Sequence, residues 1–189
     1  MVKWFDHAPE LGRVLDLYFS TLHAEFMYLE TRFMNFAQAV EGYHRRRLPG
    51  LMYDERTFDG YKATILNDLT GTVRRLAKKA LRHANEASLD ARIKALLQLL
   101  DDPGSSIVAA GGTTPGDFAS RAAAIRNTYA HNLQSEEPKH LELIQFTFQL
   151  RALVEALLLH EIGFEPPAID KMLREAQRYR DIESVKARR

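Results

Sequence analysis

The 189-residue chain contains no cysteine. That absence removes disulfide bridges, a thiolate nucleophile and any Cys-based zinc site, and it is compatible with a reducing, cytoplasmic location. Neither sign of charge is in excess: 26 Lys and Arg stand against 25 Asp and Glu, a formal net charge of +1. No global basic field marks a nucleic-acid binder, so an RNA site must be a local patch. Uncharged apolar runs of about 18 residues are missing, so no membrane-spanning helix is expected. The most apolar stretch, near Leu143–Leu159, is interrupted by Arg151 and Glu155. The first residues, Met1-Val2-Lys3-Trp4-Phe5-Asp6-His7, lack a basic start followed by an apolar stretch, and no signal peptide is expected.

What is present favours helix. Hydrophobic residues make up 46% of the chain and charged residues 27%, which fits a soluble globular chain. Leu, Ala, Arg and Glu outnumber β-branched residues, as helix propensity requires. Pro9-Glu10 reads as a helix start, followed by Leu11, Val14, Leu15, Tyr18, Phe19 and Leu22 at helical spacing. A second stripe runs Phe26, Leu29, Phe33, Phe36, Ala37, Val40 and ends at Arg45-Arg46-Arg47 before Pro49-Gly50. The two stripes form one long helix or two with a bend near Ser20–Ala24. Further helices are predicted over Asp54–Asn67, Val73–His83 and from Ser88 to Leu100. Ser105–Thr114 reads as a loop. Thr114-Pro115 opens a helix running to about Leu133, Ser135-Glu136-Glu137-Pro138 opens the most apolar one, and Gly163 is its C-cap. Pro166-Pro167 starts a last helix reaching about Val185. The sum is an all-α bundle of six to eight helices around one core.

The chemistry concentrates on Arg126-Asn127-Thr128-Tyr129-Ala130-His131. An Arg and a His separated by four to six intervening residues are expected by chance about twice in such a chain, whereas Arg-Asn with a fixed spacing to His is expected only ~0.02 times. Asn127 and His131 are four apart and share a helix face, so the Asn127 amide can hold the imidazole in one tautomer. Arg126 lies about 140° round from His131, within reach of a long side chain. Together they suit RNA cleavage without a metal. The substrate's 2′-hydroxyl is then the nucleophile, His131 a general base or acid, and Arg126 the group that binds the scissile phosphate. The bland reading is an exposed Arg and a surface or core His.

These residues resemble the signature of HEPN (higher eukaryotes and prokaryotes nucleotide-binding) domains: an Arg, often followed by Asn, then a fixed-spaced His late in a helical bundle. The run Glu30-Thr31-Arg32-Phe33-Met34-Asn35-Phe36-Ala37-Gln38-Ala39-Val40-Glu41-Gly42-Tyr43-His44-Arg45-Arg46 resembles the early long helix of ApeA-type HEPN domains. Trp4-Phe5…Glu10-Leu11…Val14-Leu15-Asp16-Leu17-Tyr18 resembles the opening of that domain and Ser88-Leu89…Arg92-Ile93…Leu96-Leu97 its middle helix. The resemblance implies one HEPN domain over residues 1–189, which can equally be the C-terminal domain of a longer anti-phage defence protein with an N-terminal sensing domain. It also implies a homodimer in which two Arg/His motifs form one composite cleft, and a metal-independent endoribonuclease that needs no cofactor. The alternative is a HEPN dimerisation or RNA-binding module without turnover. Ala130 departs from relatives that carry a hydroxyl there, and leaves the Arg/His pair intact.

Other residues carry weaker signals. Glu41 and His44 share a face of the early helix and can support the cleft; the bland reading pairs Glu41 with Arg45. Arg45, Arg46 and Arg47 can touch RNA phosphates or compensate a helix dipole. Tyr129 can stack on a base, but Ile125 and Leu133 on its face favour packing. Arg74, Arg75, Lys78, Lys79 and Arg82 form a second basic cluster, read first as a solvated face with RNA docking as the alternative. No acid/His spacing supports a metal site.

Overall fold

The computed structural model describes residues 8–131 and 137–187. A 3-10 turn, Ala8–Leu11, leads into α1 (Gly12–His23) and α2 (Leu29–Arg47); α3 (Glu55–Asn67) and α4 (Gly71–Ala80) follow. The chain continues through α5 (Leu89–Leu100), α6 (Asp102–Ala110), α7 (Pro115–His131), α8 (His140–Ile162), α9 (Pro166–Glu175) and α10 (Gln177–Ala187). The chain is all-α. Ten α-helices lie among the described residues, more than the six to eight expected. The expected Trp4-Phe5 opening and the boundaries at Leu133 and Ser135-Glu136 fall outside the described residues.

Two compact units form, one from Met1–Arg47 with Leu89–Arg189 and one from Leu48–Ser88. In the first, α8 is central and touches α2, α5, α6, α9 and α10. Its apolar residues Leu143, Phe146, Leu150, Leu153, Val154 and Leu157 are all buried. A helix apolar on so many sides must be surrounded. By length and composition α8 could cross a membrane, but 72% of the relevant window is buried inside the molecule, the condition of a core helix. Its buried polar groups are tied down, as burial requires: Gln145 Nε2 donates to the Gly111 carbonyl at 2.8 Å and Gln149 Nε2 to that of Ile107 at 3.0 Å. Tyr43 Oη donates to Glu161 at 2.9 Å; burial and that carboxylate push the Tyr43 phenol up.

The extra helices come from three breaks. Ala24, extended at φ −69° and ψ 117°, ends α1, so the first two stripes are separate helices. Asp101, at φ 57°, turns the chain between α5 and α6. Here the first part of the expected loop, residues 105–110, is helical, and only 111–114 stay outside a helix: Pro103 sits in the first turn, where a missing N–H costs nothing, and Ile107, Val108 and Ala110 are buried. Gly104 lets α6 approach α5, because a Cβ there would meet the Leu97 carbonyl. Ala176, extended at ψ 138°, splits the expected last helix into α9 and α10. Gly163 caps α8 in the left-handed region at φ 99°, as expected.

The second unit, Leu48–Ser88, is a helical hairpin. Asp54 caps α3 by accepting from the Thr57 N–H at 2.9 Å. An isolated bridge between Leu51 and Glu86 closes the base of the unit. There Asn85 joins Tyr53 at both its N–H and its carbonyl, each at 2.9 Å.

Candidate functional site

Helix α7 is set by its start. Thr114 Oγ1 accepts from the Asp117 N–H at 3.1 Å and donates to the Asp117 carboxylate at 2.7 Å, a reciprocal cap ahead of Pro115. Phe118, Ala119, Ala122 and Ile125 then recur at helical spacing and are buried; Phe118 stacks on Phe146 of α8 with centroids 5.5 Å apart. This burial turns Asn127, Ala130 and His131 to solvent and leaves Arg126 half-buried. Thr128 is buried and returns its hydroxyl to the Ala124 carbonyl at 3.1 Å. On α2, Phe33, Phe36, Ala37, Val40 and Tyr43 are buried and leave Glu41 and Arg45 more open.

The two helices meet at Glu41. Arg126 Nη2 donates to Glu41 Oε2 at 2.9 Å, and Arg45 donates to Oε1 through Nη2 at 2.9 Å and Nε at 3.2 Å. One carboxylate thus bridges two guanidiniums. Burial pushes the Glu41 carboxyl up, but the Arg45 hydrogen bonds and the charges of Arg126 and Arg45 outweigh it and hold the group below the ordinary carboxylate value. Glu41 thus pairs with Arg45 on its own helix and with Arg126 of α7.

Asn127 does not hold the imidazole. Its Oδ1 accepts from Arg126 Nη1 at 3.0 Å, so the amide braces the guanidinium from its own helix. His131 is the last residue of α7, is exposed, and makes no hydrogen bond to a described residue.

The remaining candidates divide. His44 is buried, with its Nδ1 2.9 Å from Arg92 Nη1 of α5; it faces the core where a cleft-supporting role was expected. Arginine only donates, so Nδ1 must be the unprotonated acceptor. Burial, then the Arg92 charge, then that of Arg45 hold the His44 imidazole below its ordinary value. Arg46 and Arg47, read as touching RNA phosphates or compensating the helix dipole, are both hydrogen-bonded within the chain, Arg46 while exposed and Arg47 half-buried. Arg46 donates to the carbonyls of Glu10 at 2.7 Å and Gly42 at 2.8 Å. Arg47 bridges Glu161 and Glu10, both at 2.6 Å. Arg45 is exposed, as is Arg46, and lies beside Arg126 through Glu41. Tyr129 is half-buried with its ring edge on Phe33, centroids 6.4 Å apart; burial, then the Glu30 and Glu137 carboxylates, push its phenol up.

Sequence reasoning missed the role of Arg92. The signal was present: Arg92 lies four residues before Leu96 on the stripe Leu89, Ile93, Leu96, Leu97, Leu100, and so on its buried face. Among the described residues, no three His, Asp or Glu side chains converge where a metal ion could be held. A cavity of about 460 Å³ is lined by Tyr18, Phe19, Leu158, Leu159, Ile162 and Met172, among others, and by none of the site candidates.

An all-α bundle carrying a braced Arg and an open His five residues apart on one late helix is therefore the class of molecule to be placed. The model of the family described as Apea-like HEPN matches residues 34–167. That span runs from the first turns of α2 through α8 and includes Glu41, Arg126 and His131, and the chain belongs to this family. No curated protein and no solved structure matches the chain.

Proposed function

We propose that the chain is a metal-independent endoribonuclease domain of an anti-phage defence protein, working as a homodimer. The observation that carries this reading is the brace on Arg126: Glu41 at 2.9 Å and Asn127 at 3.0 Å hold its guanidinium, five residues before an exposed His on the same helix. A held guanidinium is preorganised to receive phosphate oxygens, and preorganisation is where most electrostatic catalysis arises.

In the proposed reaction the substrate's 2′-oxygen forms a bond to phosphorus while the bond from phosphorus to the 5′-oxygen breaks. An imidazole takes the 2′-hydroxyl proton, and a second delivers a proton to the departing 5′-oxygen. His131 and the partner's His131 supply the two, with Arg126 on the non-bridging oxygens. The products are a 2′,3′-cyclic phosphate and a 5′-hydroxyl. The Arg126 motif carries a single exposed imidazole, His131, on each chain, and a reaction that uses two supports a cleft built from two copies. Phe26 and Tyr28, 97% and 84% exposed on the segment between α1 and α2, support the pairing as bare apolar surface.

The test is cleavage of a labelled structured RNA in EDTA by the wild-type chain, Arg126→Ala and His131→Ala. The reading expects cleavage by the wild type and loss in both variants with RNA binding kept. Binding without cleavage by any of them would favour the non-catalytic module.

A further inference from the structure

Residues 70–83 carry Arg74, Arg75, Lys78, Lys79 and Arg82 and no carboxylate. Arg74 is used inside its own unit: its guanidinium donates to the carbonyls of Leu66 and Leu69 and closes the end of α3. The other four are exposed and form no ion pair with a described residue. Elsewhere cations sit one helical turn from an acid, as in Lys62–Asp59, Lys94–Asp90, Lys171–Glu175 and Arg174–Asp170. α4 has no acid with which to do this.

At about 100° per residue, positions 75, 78, 79 and 82 fall within an arc of about 100°. They run ~10 Å along the axis. Arg82 lies just past Ala80, where Leu81 still holds the right-handed helical conformation. Val73 lies opposite the stripe and Leu76 to one side of it, about 110° from its middle. Like charges three and four residues apart on a helix repel and destabilise it. Four such cations gathered on one stripe repel one another, salt screens this in part, and an external polyanion relieves it further.

We infer that the Arg75, Lys78, Lys79, Arg82 stripe of α4 binds the phosphate backbone of RNA, holding the substrate strand without reading its bases. The inference rests on the ribonuclease reading for the identity of the polyanion. An anionic membrane surface fits less well. The apolar side of α4 offers Val73 and Leu76 with no aromatic ring, little for a ten-residue helix to bury in a bilayer. The RNA backbone needs only the charges, and neutralising each phosphate releases counterions, which makes binding salt-dependent.

The test uses the full chain with His131→Ala, so that RNA is not consumed, and fluorescence anisotropy of a labelled single-stranded RNA of about 20 nucleotides over about 50–300 mM salt. In Arg75→Gln/Lys78→Gln/Lys79→Gln/Arg82→Gln, the slope of log affinity against log salt should flatten by about 2–3, at ~0.7 per lost phosphate contact. Arg75→Gln/Lys79→Gln should give about half that change, and keeps the test intact should the fourfold variant lose its helical circular dichroism. Lys171→Gln is the control and should leave the slope unchanged. A slope unaltered in folded variants overturns the inference. So does binding of the parent chain to vesicles with about 30% phosphatidylserine in place of RNA. Stripe-dependent RNA binding without cleavage by the wild type would sink the nuclease reading alone; cleavage with an unaltered slope would sink this inference alone.

Discussion

Glu41 of α2 accepts from Arg126 of α7 at 2.9 Å through one oxygen, and its other oxygen takes Arg45 at 2.9 Å. A carboxylate shared in this way fixes where the Arg126 guanidinium can go. In Glu41→Gln the charge that holds Arg126 is lost while the side-chain shape is kept. RNA cleavage should fall about tenfold, ~1.4 kcal/mol of transition-state stabilisation. Thermal stability should barely change, since partly exposed ion pairs contribute about 0–1 kcal/mol. Single-turnover rates and melting curves separate the two. An unchanged rate would remove Glu41 from the site.

His44 gives a stability prediction with a definite sign. Burial and Arg92 hold its folded pKa below the ordinary imidazole value, which is about 6.5 in an unfolded chain. The unfolded state therefore binds a proton first as the pH drops. Stability is complete above about pH 6.5 and declines as the pH falls from there toward the folded value. His44→Gln keeps an acceptor for Arg92 and removes the titration. Its melting temperature should fall less between about pH 7 and 5 than that of the wild type. Parallel curves for the two proteins would show that His44 does not titrate differently in the fold.

Gly104 tests the crossing of α5 and α6. A Cβ at this position would collide with the Leu97 backbone carbonyl, and backbone cannot swing aside as a flexible side chain can. Gly104→Ala should destabilise the protein by about 1–3 kcal/mol, read by denaturant unfolding. Gly60, whose Cβ would meet nothing within 4 Å, is the control, and Gly60→Ala should be neutral or slightly stabilising.

Phe26 and Tyr28 bear on pairing. Replacing both by Ser removes two exposed rings without touching the core, so circular dichroism should be unchanged. The monomer–dimer equilibrium, followed by mass measurement in solution, should shift toward monomer by tenfold or more, about 1.4 kcal/mol. Retention of the wild-type equilibrium would place the dimer contact elsewhere.

The all-α class was legible because apolar spacing repeats along Phe33, Phe36, Ala37, Val40 and along Phe118, Ala122, Ile125, and because Asp54, Thr114 and Gly163 announce helix ends. The helix at Asp102–Ala110 was not, since Asp101-Asp102-Pro103-Gly104 stops one helix and starts the next with the same residues. At the site, the spacing of Arg126 and His131 was visible, as was a reach from Glu41. The partner of Asn127 was not: four-residue spacing pointed to His131, whereas the adjacent guanidinium offers a charged donor at 3.0 Å, and a charge-assisted bond is the stronger one. Nor could spacing separate Arg45, which stays beside Glu41, from Arg46 and Arg47, whose partners Glu10 and Glu161 are far away in the chain.

The central claim is that Arg126 and His131 direct a 2′-hydroxyl onto the neighbouring phosphodiester, and the ends of the cut RNA test it most directly. Mass spectrometry of fragments made by the wild-type chain in EDTA should find 2′,3′-cyclic phosphate and 5′-hydroxyl termini, with no such fragments from His131→Ala. Fragments ending in 3′-hydroxyl and 5′-phosphate, or the same cyclic termini at equal yield from His131→Ala, would contradict the account.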